Sequence, residues 1–144
     1  TEVNFKVFII NGNTKTGDWQ VSQKLIETIE KNRIEIIPYQ GNVEKTWNEI
    51  STCDLMISTR LHASIFACYA KVPFMLLEYH KKCADFLNDV GQLKKYRLYD
   101  AEVELDTILP IIENILSGNY QSPKYLNETI EHSKKNFTHT IPLL

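Results

Sequence analysis

Cysteine is scarce in this chain of 144 residues: there are three, Cys53, Cys68 and Cys83. An odd count without a C-x-x-C pair excludes a disulfide framework, a zinc ribbon and a thioredoxin-like redox centre. Reduced thiols and a cytoplasmic location are expected. Glycine and proline are also few, at 5 each, which excludes collagen-like and low-complexity classes. Neither sign of charge dominates. Lys+Arg is 16 and Asp+Glu is 18, with a net charge of −2. No basic run marks a nucleic-acid surface, so no nucleic acid is expected as a partner. Long apolar runs are lacking too. The most apolar stretch, Leu61 to Leu77, is interrupted by Lys71 and Pro73, and a bilayer span needs about 20 mostly apolar residues. No direct membrane span is expected. The chain does not open on a secretory-signal pattern. The sequons at Asn127-Glu128-Thr129 and Asn136-Phe137-Thr138 are therefore read as chance. His132 and His139 have no partner at ligand spacing, so neither a metal nor a cofactor is expected.

What the chain does have is alternation. Phe5 to Ile10 is an apolar run closed by Asn11-Gly12, the pattern of a buried parallel strand. Asp18 stands where a helix N-cap would, ahead of Val21, Leu25, Ile26 and Ile29 at helical spacing. Strands are predicted at 34–37, 55–58, 73–77 and 96–99. Helices are predicted around Val43–Ile50, Leu61–Val72 and Lys82–Val90, the last ended by Gly91, and over Leu105–Leu116, ended by Gly118. Strand–helix alternation at this pitch predicts one α/β domain over residues 1–144, a Rossmann-like doubly wound parallel sheet. Leu126, Ile130, Ser133 and Phe137 share one helical face, so residues 123–144 are expected to add a tail helix.

Open α/β sheets bind ligands beyond the carboxyl ends of their strands. That rule selects four loops: Asn11–Asp18, Gln40–Val43, Ser58–His62 and Glu78–Lys82. The first carries the Gly12-x-x-x-x-Gly17 half of a P-loop, but Asp18-Trp19 stands where Lys-Ser/Thr is required, and a carboxylate there repels phosphate. The third, Ser58-Thr59-Arg60-Leu61-His62, is the strongest signal. At a strand-to-helix junction the first backbone N–H groups and the helix dipole favour an anion. Arg60 adds a fork of donors, and His62 can give a proton near neutral pH. The plain alternative pairs Arg60 with a local Asp and buries His62 in the core. Glu78-Tyr79-His80-Lys81-Lys82 brings a carboxylate, an imidazole and two ammonium groups to the same rim, and Lys82 could reach the anion held by Arg60.

Asp54-Leu-Met-Ile-Ser-Thr-Arg-Leu-His-Ala63, then Phe66-Ala67, Val72-Pro73, Tyr79-x-x-Lys82 and Phe86-Leu87 before Gly91 resemble the polysaccharide pyruvyl transferase family. The resemblance covers roughly residues 50–92. Two positions depart from it: Lys71 stands where members usually carry Gly, and His80-Lys81 where Asp-Pro is common. The resemblance implies the C-terminal, donor-binding domain of a two-domain bacterial enzyme of glycosyltransferase-B-like (GT-B) architecture. Such an enzyme moves a pyruvyl group from phosphoenolpyruvate to a sugar hydroxyl of a cell-surface polysaccharide. It implies His62 as the catalytic acid, with Arg60, Ser58, Leu61 and Lys82 as substrate-binding residues. It also implies a carbohydrate acceptor and an N-terminal domain of the same enzyme as partners, with this fragment inactive by itself. The alternatives are a GT-B domain that uses a nucleotide-sugar and a non-catalytic binding module.

Overall fold

The computed structural model describes residues 3–99 and 104–140, with side chains through residue 135. The chain divides into two compact units, residues 1–46 and 47–144.

The first unit holds β1 (Phe5–Phe8), α1 (Trp19–Ile26) and β2 (Ile34–Ile37). The two strands pair in parallel, Phe5 opposite Ile34 through Phe8 opposite Ile37. β1 is shorter than its apolar run predicts. Ile9 still donates to Ile37 C=O at 2.9 Å, but the N–H groups of Ile10 and Asn11 both turn to the Asp18 carboxylate, at 3.0 and 2.8 Å. Asp18 is thus not the side-chain cap expected: it makes no cap bond to α1. Its carboxylate instead ends the strand and closes the loop.

The same loop accounts for the Gly-x-x-x-x-Gly spacing. A Cβ at Gly12 would run into the Tyr39 ring, and one at Gly17 into the carbonyls of Asn11 and Asn13. Asn13 Oδ1 accepts from Lys15 N–H and Thr16 N–H at 2.8 and 3.0 Å, and Asn11 Oδ1 from Asn13 N–H at 3.1 Å. The loop's own side chains use the N–H groups that a phosphate cradle would present. Both glycines are there for close packing.

α2 (Val43–Ser51) leads into the second unit, where β3 (Met56–Ser58), α3 (Leu61–Tyr69), β4 (Phe74–Leu77), α4 (Lys81–Val90), β5 (Arg97–Leu98), α5 (Leu105–Leu116) and α6 (Leu126–Thr140) follow. β3, β4 and β5 form a parallel three-stranded sheet in that order. The described strands therefore make two small parallel sheets, where the alternation predicts a single one. The mixed α/β architecture, with six α-helices among the described residues, agrees with a Rossmann-like layout. The predicted strand at 96–99 contracts to Arg97–Leu98 because Lys94–Tyr96 turns as a 3₁₀ helix.

β4 reads as a continuous apolar run because both of its faces are covered: Phe74, Met75 and Leu76 are fully buried. The buried face of α3 is built from small residues, Ala63, Ser64, Ala67 and Cys68, which let the helix lie close to the sheet. Trp47 of α2 meets Phe66 of α3 edge-on, with ring centres 6.0 Å apart. Ile108, Ile111, Ile112 and Ile115 turn one side of α5 onto Met75 and Tyr96. Gln92 ties three segments. Its amide donates to Phe74 C=O at 3.2 Å and to the Tyr120 hydroxyl at 3.0 Å, and its oxygen accepts Leu93 N–H at 3.0 Å. Burial around this amide raises the Tyr120 phenol to about 12 and likewise the Cys68 thiol to about 12. Cys68 is therefore an inert core thiol and not a nucleophile.

The two departures from the family pattern fall at helix ends. After α3, Lys71 N–H bonds Cys68 C=O at 3.1 Å and Val72 N–H bonds Ala67 C=O at 2.9 Å. This is the Schellman closure, which needs a left-handed residue at its centre. Lys71 fills that place at φ 61°. α4 ends the same way with Gly91 at φ 70°, and Gln92 N–H bonds Leu87 C=O at 2.8 Å. At the start of α4, His80 is the N-cap: its Nδ1 accepts Lys82 N–H at 3.2 Å. Asp and Pro are among the best residues for N-cap and first helical positions. His80 does the capping with imidazole, and Lys81 pairs with Asp85 one turn on at 2.7 Å. Both departures thus concern how helices begin and end.

A left-handed non-glycine residue costs about 1–2 kcal/mol, partly offset by the freedom glycine loses on folding. Lys71→Gly is therefore expected to stabilise the protein by about 0.5–1 kcal/mol, roughly 2–4 °C in Tm. Gly91→Ala is expected to do the reverse by about 1–3 kcal/mol, because a Cβ there also meets Tyr125 Cδ2 at 2.7 Å. Thermal unfolding of the two variants checks both signs.

Candidate functional site

The site is built where β3 gives way to α3. Ser58, the last residue of β3, is opposite Leu76 of β4, and Leu76 is opposite Arg97 of β5. The loops after β3 and β4 therefore leave from one row at the carboxyl edge of the sheet. Sequence separation hides this: Ser58–His62 and Glu78–Lys82 become neighbours through strand register.

Ser58 is 8% exposed, and its hydroxyl donates to Arg60 C=O. This bond folds the turn back on itself and sets the entry of α3. Arg60 is the residue before the first helical turn, in extended backbone (φ −100°, ψ 120°), and caps nothing with its side chain. Its carbonyl accepts Ala63 N–H at 3.1 Å, the first bond of the helix. The N–H groups of Leu61 and His62 precede that bond and lie outside the helix's own ladder, at the positive end of its dipole. Arg60 is half-buried and Leu61 begins the helix. His62 is exposed, so it is not the core histidine of the plain alternative.

On the neighbouring loop Tyr79, His80, Lys81 and Lys82 are exposed, and the Tyr79 and His80 rings are edge-on at 6.4 Å. Glu78 departs from the expectation of a carboxylate on the rim. Its Oε2 lies 2.7–2.8 Å from the Arg97 guanidinium, with the two side chains only 13% and 11% exposed. Arg97 also donates to Asn88 Oδ1 at 2.7 Å. Arg97, which sequence spacing did not single out, thus holds the Glu78 carboxylate inside an ion pair. The two loops at this edge carry Arg60, His62 and Lys82, the last two exposed. No group of three or more His, Cys, Asp or Glu able to hold a metal occurs among the described residues. A cavity of about 530 Å³ lies elsewhere, lined by Lys95, Pro110, Ile111 and Asn114 among others.

The site thus belongs to a mixed α/β protein with a strand-to-helix turn carrying Arg and His at the carboxyl edge of a parallel sheet. Comparison with known proteins gives the family. The family model of polysaccharide pyruvyl transferase matches residues 2–81, more than half of the chain. The chain belongs to the polysaccharide pyruvyl transferase family, a family of transferases in polysaccharide biosynthesis. The match takes in the whole Ser58–His62 turn and stops one residue short of Lys82. Over 136 residues, 92% of this chain, the sequence is also 24% identical to Protein clarinet of Caenorhabditis elegans. This chain spans about 1% of the length of that protein. No solved structure is a significant match. No helix among the described residues is long and apolar enough to cross a membrane.

Proposed function

We propose that this chain is the donor-binding domain of a pyruvyltransferase that takes phosphoenolpyruvate and forms a ketal on a sugar of a cell-surface polysaccharide. The observation that supports this most is the Ser58–His62 turn within the family match, at the carboxyl edge of a sheet where the Glu78 carboxylate is paired with Arg97. Phosphoenolpyruvate carries a carboxylate and a phosphate. The guanidinium of Arg60 can bind either oxyanion through two parallel N–H···O bonds. The Leu61 and His62 N–H groups add donors with dipole support, and the Lys82 ammonium adds a second cation.

His62 is the proposed acid. It gives a proton to the methylene carbon of the enol phosphate, which becomes the methyl group. Positive charge then develops at the neighbouring carbon, where one sugar hydroxyl oxygen bonds. A second hydroxyl oxygen bonds the same carbon as the C–O bond to phosphate breaks, and inorganic phosphate leaves. The two hydroxyl protons balance the reaction: one restores His62, and the other leaves with phosphate or water. The sugar would be held by another domain of the same enzyme, as the family resemblance implies.

Calorimetric titration with phosphoenolpyruvate and, separately, with nucleotide-sugars tests the donor. Saturable binding of phosphoenolpyruvate that Arg60→Ala weakens is the expected result. Binding of a nucleotide-sugar with none of phosphoenolpyruvate would establish the glycosyltransferase alternative. Binding of phosphoenolpyruvate by a full-length protein that turns nothing over would establish a binding module.

A further inference from the structure

Two serines, Ser58 and Ser64, have the carbonyl oxygen of Arg60 as a candidate acceptor. Ser58 donates its hydroxyl to Arg60 C=O from the strand side. Ser64 lies four residues beyond Arg60 on α3. Its side chain is fully buried at 0% exposure, and its hydroxyl finds no hydrogen-bond partner among the described residues. The ordinary acceptor for a serine in a helix is the carbonyl four residues back. For Ser64 that is Arg60 C=O, which already accepts Ala63 N–H at 3.1 Å, Ser64's own N–H at 3.4 Å and the Ser58 hydroxyl. A carbonyl oxygen has two lone pairs. The Ser58 hydroxyl reaches that oxygen and the Ser64 hydroxyl does not.

A buried hydroxyl left unpaired is unfavourable, and the α3 face around it is otherwise alanine and cysteine. Alanine at position 64 would pack there without the penalty. The serine acquires a purpose if the carbonyl changes hands.

We propose that Ser58 and Ser64 are an exchange pair: when an anionic ligand docks at the turn, the Ser58 hydroxyl leaves Arg60 C=O for a ligand oxygen and the Ser64 hydroxyl takes its place. This rests on the reading of the turn as the donor site. In the ligand-free protein the unpaired hydroxyl is Ser64's, and in the bound protein neither is unpaired. Without Ser64, Ser58 would trade one hydrogen bond for another and the ligand would gain little from it. With Ser64, docking adds a hydrogen bond to the total and keeps the first turn of α3 anchored. Ser64 is thus a positioning residue. It is buried and acts on the ligand only through Ser58.

The test has two arms on the same four proteins: wild type, Ser58→Ala, Ser64→Ala and the double variant. The first uses no ligand and reads urea-unfolding midpoints. In the wild-type background Ser64→Ala is expected to leave the midpoint unchanged or raise it. In the Ser58→Ala background, where Arg60 C=O is open to Ser64, the same change is expected to lower it. This reversal of sign is the signature of competition for one acceptor. An equal effect in both backgrounds overturns the proposal. The second arm titrates phosphoenolpyruvate and inorganic phosphate. Ser64→Ala is expected to weaken binding about 2–10-fold, the effect of one hydrogen bond, and to have no further effect once Ser58 is alanine. Wild-type binding that Ser64→Ala leaves unchanged overturns the exchange while the donor reading stands. A wild type that binds neither probe overturns the donor reading and the ligand-driven step together, and the first arm still decides the competition.

Discussion

Replacing His62 by alanine is expected to lower kcat of the full enzyme by about 10²-fold or more, with the KM for phosphoenolpyruvate close to its original value. The proposed proton is given only as the reaction proceeds, so its loss is felt in the transition state and little in the bound ground state. Arg60→Ala is expected to fail the other way. Arg60 holds the donor's oxyanion both before and during reaction. A charge-assisted hydrogen bond contributes about 1.5–3 kcal/mol, so donor KM should rise roughly 10–100-fold with a smaller fall in kcat. Steady-state kinetics against varied phosphoenolpyruvate separates the two. Should His62→Ala retain its kcat at saturating donor, the proton comes from elsewhere on the edge, with Tyr79 and Lys82 the groups to replace next.

The second large effect is expected at Arg97. Its ion pair with Glu78 is almost wholly shielded from water, so removing one partner strands a charge. Arg97→Met is expected to destabilise the protein by about 3–5 kcal/mol. Glu78→Gln combined with Arg97→Met should recover much of that, because no unpaired charge remains. Chemical denaturation of the single and double variants measures this coupling, and independent, additive effects would show that the pair is not a tether. A functional consequence follows. With Arg97 gone, the Glu78 carboxylate is released beside the cationic turn, and donor affinity should fall even though Arg97 is proposed to touch no ligand. The double variant should restore affinity along with stability.

The comparison of Lys71 with Gly91 bears on whether the site is intact. Departures at Lys71 and at His80-Lys81 would support a degenerate binding module if those positions handled ligand. Lys71 instead closes the end of α3 in the left-handed conformation, and His80 caps the start of α4. Each takes over a structural task from a residue better suited to it. Neither departure replaces Arg60, His62 or Lys82, the residues that the resemblance puts forward for the site.

Much of this was legible in the chain's periodicity. Apolar runs of strand length between helices of 3.6-residue spacing dictate parallel α/β pairing. A strand that ends in Ser58 and a helix that begins at Leu61 dictate a turn whose first N–H groups lie outside the helix ladder. The identity of the turn was legible too, because Ser-x-Arg-x-His requires no partner from elsewhere in the chain. Reading failed where a side chain's partner is distant in sequence or its backbone angle is unusual. Asp18 looks like a cap in any local window. Only the folded loop shows its carboxylate drawing in Ile10 and Asn11 and ending β1 early. Glu78 looks like a carboxylate at the edge until parallel register sets Arg97 of β5 beside it. Gly12 and Gly17 mimic half of a phosphate loop until Tyr39 and the asparagine carbonyls show what their missing side chains make room for. Local hydrophobic period and helix-end chemistry act over a few residues, and the sequence by itself determines them. Which charges meet, which hydroxyl is left unpaired and which carbonyl two serines contend for depend on strand register and burial, and only the tertiary structure decides those.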